Sequence, residues 1–134
     1  MEFYEQLVKA HNSGVDSDTN LLKKEIELID DAINYIKFNA LKEAAVGKSS
    51  FWWFISRHSR SRTYKQADGT DKTFSDKELI ELLNRSEDYL NVAKSRMKKE
   101  LYNTYKTFLE IEKDDRTEDY TITFSWVILE TEKL

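Results

Sequence analysis

The stretch "SSFWWFISRHSRSRTYK", residues 49–65, decides how the rest of the chain can fold. As a strand, its first half turns Phe51, Trp53 and Ile55 to one side and Trp52 and Phe54 to the other. As a helix capped by Ser49 or Ser50, it gathers Phe51, Phe54, Ile55 and His58 into one stripe. Aromatic richness favours the strand, though periodicity alone does not separate the two over so short a run. The end of the chain adds weight to that choice. There "DYTITFSWVILE", residues 119–130, alternates: Tyr120, Ile122, Phe124, Trp126 and Ile128 on one face, Thr121, Thr123 and Ser125 on the other. Period two with β-branched and aromatic residues predicts a strand with one wet side. An isolated strand is unstable, so it needs partners, and residues 51–57 are one.

The other expected partner is a hairpin at "RTYKQADGTDKTF", residues 62–74. A two-residue loop at Asp68-Gly69 would set Lys65 against Lys72, like charges face to face. A type I turn over residues 66–69, with Gly69 as a bulge, sets Lys65 against Asp71 and Thr63 against Thr73. The second register is the expected one.

Helices flank this region. Residues 2–12 read as a short amphipathic helix carrying Phe3, Leu7 and Val8. From Leu22, the apolar positions Ile26, Ile29, Ile33, Ile36 and Ala40 follow a 4-3 rhythm, which predicts a long helix over residues 17–46. "FSDKELIELLNRSEDYLNVAKSRMKKELYNTYKTFLEIEK", residues 74–113, opens with a capping box at Ser75-Asp76-Lys77-Glu78. Its stripe runs through Leu79, Leu83, Ser86, Leu90, Ala93, Met97, Leu101, Tyr105 and Phe108. Matching periods predict that the two long helices form an antiparallel hairpin. The expected fold is therefore α+β: a long antiparallel helical hairpin, a short N-terminal helix and a small, mostly antiparallel sheet.

At 134 residues with 40% hydrophobic content, a single domain over 1–134 with its own core is expected. Absence of cysteine excludes disulfides, thiolate nucleophiles and Cys-based zinc sites. The start, "MEFYEQLVKAHNSG", has no basic and apolar leader, and the longest apolar run, FWWFI, is far short of the ~20 residues of a spanning helix. A cytoplasmic protein with no membrane partner is the expectation, in a host cytoplasm if the chain is viral.

Catalytic chemistry has little to stand on. Two histidines, His11 and His58, cannot build a histidine-rich metal site. Neighbouring serines and His58 lack the elbow and oxyanion glycines of a hydrolase. The calcium-loop match from Asp16 fails at its glycine position, which is Leu21. Glycine-rich phosphate loops are absent. An acidic cluster, Asp114, Asp115 and Glu118, is the one place for a divalent-metal enzyme, and solvated turn residues explain it better. No cofactor and no catalytic residue are expected.

One charged signal remains. Residues 48–67 hold five Lys or Arg and no acid, in a chain of net charge −4. Arg60 and Arg62 fall in line with His58 and Tyr64. Arg57, His58, Arg60, Arg62, Tyr64 and Lys65 are the candidate partner-binding residues. They suit an acidic protein surface or, as the alternative, a nucleic acid. The expected function is non-enzymatic: binding a protein partner or assembling with copies of itself. Small size, no catalytic signature and split charge are the profile of phage or mobile-element accessory and inhibitor proteins.

Overall fold

Gly69 adopts φ +86°, the left-handed region that a side chain resists, and it closes the hairpin in the expected register. Its N–H donates to the Gln66 carbonyl at 2.9 Å, and the Gln66 N–H donates to Thr70 O at 2.8 Å. The computed structural model describes residues 2–8, 23–58, 60–101 and 106–128. Within it β2 (Ser61–Lys65) and β3 (Asp71–Ser75) pair antiparallel, with Lys65 opposite Asp71 and Thr63 opposite Thr73. Space around Gly69 is open, so only backbone strain opposes a side chain there. Gly69→Val is therefore expected to lower unfolding stability by about 1 kcal/mol or more. An unchanged urea midpoint would contradict this turn.

The quoted stretch begins as a strand. β1 (Ser50–Ile55) buries Trp53 and Ile55 and exposes Trp52 and Phe54. It pairs antiparallel with β5 (Tyr120–Trp126), placing Phe51 opposite Phe124, Trp53 opposite Ile122 and Ile55 opposite Tyr120. The second partner of β5 is β4 (Thr107–Lys113), giving a three-stranded sheet of order β1-β5-β4. β2 and β3 form a separate two-stranded sheet, against the expectation that this hairpin would pair with the C-terminal strand.

Residues 107–113 therefore correct the helix expected through residue 113. Leu109 and Ile111 turn inward opposite Phe124 and Ile122, while Phe108, Glu110 and Glu112 are exposed. Alternating burial and the ladder with β5 outweigh a helical stripe that Phe108 only happened to extend. Tyr105 lies outside the described residues, as do Leu22 and the expected helix start at residues 17–21.

The remaining expected helix is also broken. α1 occupies residues 3–8, α2 is Lys23–Ala45, α3 is Asp76–Leu83 and α4 is Glu87–Leu101. Ser75 caps α3, its hydroxyl accepting from the Lys77 N–H. Asn84 ends that helix. Ser86, placed in the apolar stripe by the sequence, instead accepts from the Tyr89 N–H and opens α4.

α4 also reverses its expected direction. Asp30 pairs with Arg96 and Lys37 with Glu100, so residue numbers rise together and α4 runs in the same sense as α2. β1 and the hairpin carry the chain back before α3 and α4 begin, which leaves no tight antiparallel connection. α2 is the centre of the molecule: Ile29, Ala32, Ile33, Ile36 and Ala40 are buried with Trp53, Tyr64, Phe74, Leu79, Met97 and Ile122. Among the described residues, no helix is long and apolar enough to cross a membrane.

Candidate interaction surface

Alternation along β2 sets Arg62 and Tyr64 on one face, as their spacing requires, but that face turns toward α2 and α3. Tyr64 is only 3% exposed and its hydroxyl donates to Asp31 at 2.7 Å. Burial and that bond push its phenol pKa up. Arg62 donates from Nε and Nη2 to both oxygens of Asp76, at 2.8–3.0 Å, and Asp76 is 1% exposed. This bidentate bond raises the guanidinium pKa above its already high value. Lys72, opposite Tyr64 in the ladder, reaches Glu27 at 2.5 Å and Asp31 at 2.9 Å, and both bonds raise its pKa. The acid that Arg62 lacks within its own stretch is supplied by α3, and Asp31 of α2 serves both Tyr64 and Lys72.

Two of the six candidate residues, Arg62 and Tyr64, are thus taken up by the fold and cannot stack on or clamp a partner as they stand. Arg57 is exposed and lies 2.6 Å from Glu118, across the turn joining β4 to β5. His58 is exposed, its backbone N–H donating to Ser56 Oγ at 3.3 Å. Arg60 presents its side chain to solvent while its carbonyl accepts from the Asp76 N–H at 2.8 Å. Lys65 is exposed. The row is not one surface.

The acidic cluster is a turn. Asp114 Oδ1 accepts from the backbone N–H groups of Arg116 (2.9 Å) and Thr117 (3.3 Å), which hold its carboxyl below the usual carboxylate range. Glu118 sits at φ +61° and directs its carboxylate at Arg57. Among the described residues, no group of three or more His, Asp or Glu is placed to hold a metal ion.

A different surface emerges from the sheet. Its outer face has three rows across β1, β5 and β4: Ser50–Ser125–Phe108, Trp52–Thr123–Glu110 and Phe54–Thr121–Glu112. Trp52 is 62% exposed, Phe54 42% and Phe108 47%. The Trp52 and Phe54 rings are stacked, with centroids 6.3 Å apart and planes 11° off parallel. The inner side of the same strand packs Trp53 against Tyr35 and Phe74, so the backbone under the exposed pair is anchored in the core.

By hydrophobicity alone, all five apolar residues of 51–55 would belong to the core. The signal against that was present. Thr121, Thr123 and Ser125 mark one side of β5 as wet, and pairing β1 beside it continues that side through Trp52 and Phe54. No protein-family model, curated protein or solved structure matches this chain.

Proposed function

We propose that this chain is a non-enzymatic interaction protein that binds through the outer face of the β1-β5-β4 sheet. The observation that carries the reading is the exposed Trp52–Phe54 stack on a strand whose other side is fixed in the core. Large aromatics held in one orientation lose little entropy on binding, and each side chain buried contributes ~1.5–3 kcal/mol. Such residues dominate the energetics of protein contacts. Arg57 and His58 follow β1 after Ser56 and are exposed, with Arg57 held by Glu118. Arg60 and Lys65 are exposed, just before β2 and at its end, while Arg62 and Tyr64 serve the fold.

A nucleic-acid partner would also use exposed aromatics beside basic residues. Glu110 and Glu112 on the same face oppose a phosphate backbone, and Asp76 already neutralises Arg62. The protein reading is therefore the stronger, and a cytoplasmic setting suits a chain without cysteine.

Replacing Trp52 and Phe54 together with Ser tests the proposal. Both side chains are exposed, so the melting curve should stay close to wild type while recovery of bound proteins from native lysate is lost. A folded double variant that recovers every wild-type partner would overturn the reading.

A further inference from the structure

The edge of β1 differs from the other strand edges of the described structure. The Trp126 N–H donates to the Ser49 carbonyl at 3.0 Å, which sets the parity of the ladder between β1 and β5. Phe51, Trp53 and Ile55 exchange their hydrogen bonds with β5. The N–H and C=O groups of Ser50, Trp52 and Phe54 consequently point to the open edge, and these same three residues are exposed. An unpaired row of this kind is a template for another strand.

Proteins deter such pairing by placing charge on edge strands. β4 carries Glu110, Glu112 and Lys113, β2 carries Arg62 and Lys65, and β3 carries Asp71 and Lys72. β1 reads SFWWFI, with no charge and no proline. Charge decides the occupant too. A two-fold contact brings a residue and its neighbours against their own kind, so any charge near the seam repels itself. The seam itself carries no charge, and the cations that flank it, Lys48 and Arg57, are each paired within their own copy, with Glu43 and Glu118. Resting on the sheet-face reading above, we propose that the partner is a second copy of this chain, paired antiparallel along β1 to continue the sheet across a two-fold axis.

The register that uses all three outward-pointing residues sets Trp52 of one copy opposite Trp52 of the other, and Ser50 opposite Phe54. The stacked aromatics then meet as one cluster over the seam. Glu110 and Glu112 lie on the far strand of each sheet, so two-fold pairing leaves them separated by ~24 Å at the 4.7–4.9 Å spacing of strands. Repulsion across that distance is screened at physiological salt. One short edge is small beside the ~1,200–2,000 Å² of a stable interface, so the pairing is reversible with dilution.

Sedimentation equilibrium from micromolar to sub-millimolar protein tests this. Wild-type mass should rise from 15.9 kDa toward twice that value. Trp52→Lys, which sets like charges together on the axis, should remain monomeric and melt near wild type. Thr123→Lys lies on the same outer face, one strand from the seam, and should dimerise as wild type does. Loss of the dimer in Thr123→Lys would mean that two faces pack together, which overturns edge pairing. A dimer indifferent to Trp52→Lys would overturn it as well. A wild-type protein that stays at 15.9 kDa throughout would remove self-pairing, while the lysate experiment separately decides whether the face holds another partner.

Discussion

Ile29→Asp is expected to abolish cooperative unfolding. Ile29 is fully buried in the N-terminal third of α2, the helix against which the sheet, the hairpin, α3 and α4 all pack. The substitution removes an apolar contribution of ~1.5–3 kcal/mol and adds an unpaired carboxylate where no water reaches it. A domain stable by only ~5–15 kcal/mol does not survive both losses intact. Leu41→Asp is the control on the same helix, because Leu41 is 72% exposed and should barely move the transition. Circular dichroism during thermal unfolding separates them. A cooperative melt of Ile29→Asp at the wild-type midpoint would mean that α2 is not the centre of the core.

Arg62→Glu is expected to cost at least ~3–5 kcal/mol, the range for breaking a buried ion pair by removing one partner. Asp76 would lose its bidentate partner and face a second carboxylate instead. Arg60→Glu, two residues away on an exposed side chain, should change stability by less than ~1 kcal/mol. Replacing the pair together, as Arg62→Met with Asp76→Leu, should recover most of the loss, since apolar groups of similar size remove the unpaired charge. Urea unfolding of the four proteins measures this. Equal, small effects at Arg60 and Arg62 would return Arg62 to the surface and restore the basic row as one patch.

These cases show what local sequence can carry. The hairpin was legible because Asp68-Gly69 and the charge pairing of Lys65 with Asp71 lie within a few residues of one another. β5 was legible because its alternation has no competing period. Residues 107–113 satisfied two periods at once: Phe108 extends the spacing of Leu101 and Tyr105, while Leu109 and Ile111 alternate with Glu110 and Glu112. Only pairing with β5 decides between them. The direction of α4 was not legible, since a parallel and an antiparallel neighbour bury the same stripe. Ser86 in that stripe was the readable sign of the break.

The division of the basic row was hidden for a related reason. Composition counts five cations and no acid in residues 48–67, but Asp76 of α3 pairs with Arg62, Glu118 with Arg57 and Glu43 of α2 with Lys48. Charge neutralised from outside the stretch cannot be counted inside it. The aromatic half hid the opposite error: alternate residues of SFWWFI have opposite fates, and a tally of hydrophobicity merges them.

Residue-resolved amide hydrogen exchange along β1, at low and high protein concentration, tests the central claim most directly. Amides of Phe51, Trp53 and Ile55, bonded to β5, should exchange slowly at both concentrations. Amides of Ser50, Trp52 and Phe54 should exchange quickly in dilute protein and slow by roughly tenfold or more as copies pair. Fast exchange at Trp52 and Phe54 in concentrated protein, whatever its mass, would contradict pairing along this edge.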